Sequence, residues 1–124
     1  MGIDSVLESF VEENPRILEL NEQQQQRLAL MVGQVDETVG IDHLVNCLAD
    51  NTSMAGDGVI RCYVGFEPSG KAHIGWKVLS LQLRRMLEAA ANVLIFLADW
   101  HAWNCLLYTR NAVDAPHRGD RARR

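Results

Sequence analysis

Tyr63-Val-Gly-Phe-Glu-Pro-Ser-Gly-Lys-Ala-His-Ile-Gly-Trp76 decides how the rest of this 124-residue chain is read. It leaves a β-branched run, Val59-Ile60-Arg61-Cys62-Tyr63-Val64, and crosses a turn built from Gly65, Pro68, Ser69 and Gly70. It then enters an apolar-periodic segment through His73-Ile74-Gly75. A strand, a glycine turn and a helix start in succession are how α/β proteins make a phosphate site, because unpaired backbone N–H groups and the positive helix end face the ligand there. Working outward, residues 74–91 have helical periodicity. Val78, Leu79, Leu81, Leu83, Met86, Leu87 and Ala90 are assigned to the buried face, and Lys77, Gln82, Arg84, Arg85 and Glu88 to the wet one. Asn92 ends the helix. Val93-Leu94-Ile95-Phe96-Leu97 is a continuous apolar run of strand length, as for a strand buried on both faces. Strand, helix and strand make a βαβ unit, expected to be right-handed with parallel strands. Ligands of open α/β sheets sit at the carboxyl ends of the strands. The topology therefore brings two polar clusters to one rim: Glu67, Lys71 and His73 after the first strand, and Asp99 and His101 after the second.

Before Val59 the pattern is helical. Residues 4–20 read as a first helix, capped by Asp4 or Ser5, with Asn14-Pro15 marking a break or a new start. A second helix over 15–33 would use Pro15 in its first turn, point Gln23 to Gln26 outward and Leu28, Leu30, Met31 and Val32 inward, and stop at Gly33. A third covers 41–50 with Ile41, Leu44, Val45 and Leu48 on one face, and residues 51–58 are a loop by composition. Three segments follow: a helical N-terminal extension over 1–58, a partial nucleotide-binding domain over 59–103, and a divergent basic tail over 104–124. The tail lacks periodicity and reads as unstructured.

An apolar fraction of 48% with 23% charged residues is that of an ordinary soluble globular protein. No run of eighteen apolar residues indicates a membrane span, and residues 1–5 do not resemble a secretory leader. Gly2 fails as a myristoylation signal because position six is Val. Cys47, Cys62 and Cys105 are odd in number and form no CxxC pair, which points to reduced thiols in the cytoplasm and to no metal site. Charge is uneven. Residues 1–60 hold eleven acidic residues against Arg16 and Arg27, while residues 61–124 hold ten basic against five acidic. The second half is therefore the part able to attract a phosphate-bearing ligand. Arg118-Gly119-Asp120 is an adhesion triplet by chance.

Tyr-x-Gly-Phe-Glu-Pro-Ser-Gly-Lys-x-His-Ile-Gly over 63–75, followed by Leu-Ala-Asp-x-His-Ala over 97–102, closely resembles tyrosyl-tRNA synthetases of the archaeal and eukaryotic kind. These are class I aminoacyl-tRNA synthetases. The resemblance covers about residues 59–103 and rests on two motifs at the right separation. It implies an α/β fold: N-terminal helices, then the first βαβ unit of a Rossmann-like catalytic domain, truncated. It implies a tyrosine–tRNA ligase that activates tyrosine with ATP and Mg2+ and passes it to tRNA-Tyr, as a homodimer or pseudo-dimer with no membrane role.

By the same resemblance, ATP would be held by Pro68, Ser69, Gly70, His73, Gly75 and Trp76. His73, the catalytic residue, would donate a hydrogen bond to phosphate oxygens. Tyr63 would meet the hydroxyl of the bound tyrosine. Gly65 would admit that substrate, Glu67 would face its ammonium end, and Phe96, Ala98 and His101 would wall its ring. Phenylalanine would then leave a buried polar group unpaired. Trp76 replaces the second histidine of the family signature, and Asn104-Cys105-Leu106 replaces its usual continuation. The second half of the nucleotide-binding fold, the Lys-Met-Ser-Lys-Ser loop and an anticodon-binding domain have no counterpart. The resemblance therefore leaves two readings: part of a tyrosine–tRNA ligase, inactive alone, or an inactive remnant or protein-interaction fragment. Within the enzyme class tryptophan–tRNA ligase is the rival, against which Tyr63 and the Ala-Asp-x-His-Ala segment speak.

Overall fold

The computed structural model describes residues 2–53, 55–68, 71–100 and 103. A 3-10 turn over Ser5–Leu7 leads into α1 (Glu8–Val11), and a second 3-10 segment spans Pro15–Glu19. Then come α2 (Glu22–Val32), α3 (Ile41–Asp50), β1 (Arg61–Phe66), α4 (Ile74–Glu88) and β2 (Asn92–Leu97). The N-terminal helices are thus shorter than their periodicity suggests. Asp4 caps the opening turn by accepting from the Val6 N–H at 3.0 Å. Asn14-Pro15 does break the chain, but Pro15 starts only the 3-10 segment. The next helix begins only at Glu22, where a better start exists. Asn21 Oδ1 accepts from the Gln24 N–H and Gln24 Oε1 from the Asn21 N–H, both at 2.8 Å, a reciprocal capping box. Gly33 ends α2, as expected.

The glutamine run is not a plain solvated face. Gln24 also donates to the Leu48 carbonyl at 2.7 Å, joining α2 to the end of α3. Gln25 donates to Leu20 O at 3.1 Å and accepts from the Asp4 N–H at 3.3 Å. Gln23 and Gln26 are exposed.

Contacts divide the chain into two units. One comprises Met1–Tyr63 and His73–Leu94, and the other falls within Val64–Ala72 and Ile95–Arg124. The first holds every buried apolar side chain among the described residues, with Leu7, Ile17, Leu28, Met31 and Val45 fully enclosed. Ile41, Val45 and Leu48 are the buried stripe of α3, as their spacing predicts, with Leu44 half-buried beside them. α4 packs against α2 in the same unit.

Polar atoms hold that helix pair as much as apolar ones do. Arg85 Nε donates to Leu30 O at 3.0 Å, and Gln82 Nε2 donates to Met31 O at 3.0 Å. In return Arg27 Nε donates to Ala89 O at 2.8 Å. Leu30 and Met31 lie in the last turn of α2 and Ala89 just past α4, so each helix caps carbonyls left over at the other's C-terminal end. A positive guanidinium there also faces the negative end of the helix dipole. Gly33 makes the approach possible. A Cβ on it would lie 2.5 Å from Ala29 O, 2.9 Å from Val6 Cγ1 and 3.3 Å from Arg85 Nη2.

This arrangement corrects the faces assigned to α4. Gln82 and Arg85, expected to be wet, are half-buried and bonded, whereas Val78, Leu81 and Leu87 are exposed. The helix is turned so that its donors reach the open carbonyls of α2, and part of its apolar surface faces out. β2 is also not buried on both faces: Leu94, Ile95, Phe96 and Leu97 are all 52–63% exposed. Among the described residues the sheet has two strands, too few to enclose a face.

The sheet is β1 beside β2. In the first unit the Asn92 N–H donates to Ile60 O, and in the second the Ala98 N–H donates to Phe66 O, both at 2.8 Å. Partners advance together along both strands, so these run parallel, as the helix between them requires. β1 begins at Arg61 rather than Val59, because Asp57 holds the approach. Its carboxylate is forked by Arg61 and accepts from Ser53 Oγ at 2.7 Å and the Val59 N–H at 3.1 Å.

Two measurements probe these details. The Asp57 carboxyl is held well below its usual range, first by the Arg61 hydrogen bond, then by Ser53 and the Val59 N–H. A carboxyl depressed in the folded state stabilises above its ordinary range, and that contribution fades as pH falls through the range and below it. Carbon-detected NMR titration should find Asp57 still ionised at a pH where the exposed carboxyls are half-protonated; titration in step with them would refute the clamp. The second concerns Ala90, which has φ of 58° where α4 ends. Ala90 N–H donates to Leu87 O at 2.9 Å and Ala91 N–H to Met86 O at 3.0 Å, a Schellman ending that glycine usually supplies. Relief of the left-handed Cβ strain in Ala90→Gly outweighs the added freedom of the unfolded chain. A gain of about 0.5 kcal/mol in denaturant unfolding is the expected result.

Candidate functional site

Four of the residues singled out by sequence lie in the first unit: Tyr63, His73, Gly75 and Trp76. Tyr63, on β1, is 77% exposed, so it is not a core tyrosine of this chain. His73 is the N-cap of α4. Its backbone is extended, its Nδ1 accepts from the Gly75 N–H at 3.1 Å, and its carbonyl accepts from the Trp76 N–H at 3.0 Å. An imidazole whose Nδ1 accepts is, in the neutral ring, the tautomer with its proton on Nε2. Nε2–H is then the donor presented at the start of the helix.

Gly75 permits this posture. A Cβ there would lie 2.8 Å from His73 Cε1 and 2.9 Å from His73 Nδ1, inside any tolerable contact. The Trp76 ring sits 5.8 Å from the imidazole at a 55° tilt and is half-buried. The glycine therefore serves the histidine's own capping, a local reason that the motif reading had not identified.

The second unit holds Gly65, Glu67, Pro68, Phe96 and Ala98. The Phe66–Ala98 hydrogen bond sets the ends of β1 and β2 side by side, so Glu67-Pro68 and Asp99-Trp100 leave the sheet at the same edge. Glu67 and Phe96 are exposed, while Pro68 and Ala98 are half-buried. A Cβ on Gly65 would meet nothing within 4 Å. Asp99 Oδ1 accepts from the Trp100 N–H at 2.8 Å. Ser69, Gly70 and His101 lie outside the described residues.

Other features were not legible as functional residues. The Asp57–Arg61 fork and the Gln82, Arg85 and Arg27 clamps use residue types that a sequence reading puts in solvent. The one available signal was Gln82 and Arg85 three apart on a helix otherwise rich in leucine. A cleft of about 580 Å3 in the first unit, lined by Leu44, Cys47, Val59 and Ile60 among others, holds none of the predicted site residues. Cys47 and Cys62 are free thiols, and burial raises the pKa of Cys62. Among the described residues no group of three or more His, Cys, Asp or Glu side chains is placed to hold a metal ion. No helix there is long and apolar enough to cross a membrane.

Residues 54–105 match the family described as tRNA synthetases class I (W and Y). Within that class the likeness is to the tyrosine enzymes. The chain is 37% identical over 78 residues to the tyrosine–tRNA ligase of Saccharolobus solfataricus, an alignment covering 63% of this chain and 20% of that protein. It is 35% identical over 77 residues to that of Sulfolobus acidocaldarius, covering 62% and 20%. The chain thus spans about a fifth of the length of the curated relatives it matches. No solved structure matches it. The resemblance first carried by residues 63–76 and 97–102 holds, and the chain resembles a fragment of a tyrosyl-tRNA synthetase.

The local geometry makes one prediction. In Gly75→Ala the new methyl displaces the imidazole, and the lost cap costs about 1 kcal/mol. Long-range 1H–15N spectra should show His73 losing its bias toward the Nε2–H tautomer. An unchanged tautomer would contradict the packing described.

Proposed function

We propose that this chain carries part of the ATP and tyrosine site of a tyrosine–tRNA ligase, built on the first βαβ unit of a Rossmann-like fold. In this reading the start of α4 receives ATP phosphates, with His73 Nε2–H donating to an oxygen whose charge grows as the tyrosine carboxylate attacks the α-phosphate. Pro68, Ser69, Gly70, Gly75 and Trp76 complete the ATP-binding set. Tyr63 binds the substrate hydroxyl, Gly65 leaves room for it, and Glu67 faces its ammonium. Phe96, Ala98 and His101 flank its ring. Mg2+ would arrive on the ATP phosphates, the usual mode for an ion that keeps most of its water. The whole enzyme would act on tRNA-Tyr in the cytoplasm, as a homodimer or pseudo-dimer.

The observation that supports this best is the His73 cap. The bond from the Gly75 N–H to Nδ1 leaves the imidazole's other nitrogen as a donor at a positive helix end. The exposed phenol of Tyr63 and the open space at Gly65 agree with it. The exposed apolar surface of β2 favours the further reading that the 124-residue chain binds ligand without completing the reaction.

Tyrosine-dependent exchange between ATP and pyrophosphate, measured on the 124-residue chain, tests this. None is expected, whereas binding of ATP should perturb the Gly75 amide. Robust exchange abolished in His73→Ala would show a complete active site instead. Tryptophan displacing tyrosine would move the assignment to the rival ligase.

A further inference from the structure

The helices before β1 have no role in the reading above, yet they grip the one helix on which that reading depends. α4 has 15 residues and is therefore a rod of about 22 Å. Its C-terminal half is held: Gln82 and Arg85 reach the Met31 and Leu30 carbonyls, Arg27 reaches the Ala89 carbonyl, and Leu83 and Met86 are half-buried. Along its N-terminal half Ile74, Gly75, Lys77, Val78 and Ser80 are exposed, with Trp76 and Leu79 half-buried. An α-helix transmits orientation along its length, and Gly75 lies about 15 Å along the axis from Arg85.

We propose that Gln82 and Arg85 are positioning residues. By donating to the last-turn carbonyls of α2, they aim the His73–Gly75 helix start, and the N-terminal helices are thereby a mount for the nucleotide end of α4. The proposal rests on the ATP reading given above, but its structural half does not need a nucleotide. Three anchors spread over Gln82–Ala89 fix a direction, where one would leave a pivot. Gly33 lets Arg85 in, and the reciprocal Arg27 bond keeps α4 from sliding along α2. Loss of the donors frees the direction of the rod without unwinding it, because its own ladder and Schellman ending remain.

The test uses the full chain as wild type, the double variant Gln82→Met with Arg85→Met, and Arg85→Lys, which keeps a cationic donor. Residual dipolar couplings of α2 and α4 amides report the angle between the helices, and Mg-ATP titration followed at the Gly75 amide reports affinity. In the double variant, with helical chemical shifts retained, α4 couplings should shrink relative to α2 and the ATP dissociation constant should rise about tenfold. Arg85→Lys should recover most of both. Unchanged couplings, or changed couplings with unchanged affinity, would overturn the proposal. If the double variant fails to fold, Arg85→Lys is compared with Arg85→Gln, and identical couplings in those two and wild type overturn it equally. If wild type binds no ATP, the nucleotide reading fails, and the couplings alone decide whether the two side chains set the helix direction.

Discussion

The two C-terminal helix ends that cap each other, α2 and α4, are the interaction on which the described part of this chain depends. A helix leaves its last carbonyls without partners, and burying them unpaired would cost each about 1–3 kcal/mol. Leu30, Met31 and Ala89 avoid that cost only because Arg85, Gln82 and Arg27 cross between the helices. Apolar contact alone would let α4 rotate and slide. Three directional bonds remove that freedom and decide which side of α4 faces α2.

Much of the surface follows from this choice. With its donors committed to α2, α4 leaves Val78, Leu81 and Leu87 exposed. The N-terminal helices are better enclosed, around Leu7, Ile17, Leu28, Met31 and Val45. Among the described residues the packed core lies chiefly in the N-terminal helices, while Tyr63, His73 and Phe96 are exposed.

What the sequence disclosed depended on how local each signal was. Ile41, Val45 and Leu48 repeat at helical spacing and are buried as that spacing requires. The turn from β1 into α4 was readable because glycine, proline and histidine act through the few residues beside them. The same segment places His73 at the helix start, whereas its Nδ1 cap on the Gly75 N–H is visible only in the structure. Gln24 and Gln25 read as solvated because their distant partners, Leu48 and Asp4, are identified by tertiary contact and not by periodicity. Gln82 and Arg85 were misread for the same reason. Val93-Leu94-Ile95-Phe96-Leu97 has the composition of a strand buried on both faces, yet composition reports what a strand suits and not what covers it. The motifs at 63–76 and 97–102 carry the synthetase resemblance, and both lie within the family match over 54–105.

The central claim is that polar side chains crossing to backbone carbonyls, as much as core packing, hold α4 on the N-terminal helices. Through-hydrogen-bond scalar couplings measure this directly, on uniformly 15N,13C-labelled chain at a temperature where it is folded. The account predicts cross-peaks from Arg85 Nε to the Leu30 carbonyl carbon, from Gln82 Nε2 to that of Met31, and from Arg27 Nε to that of Ala89. A folded chain that lacks all three, with these side chains exchanging freely with solvent, would contradict it.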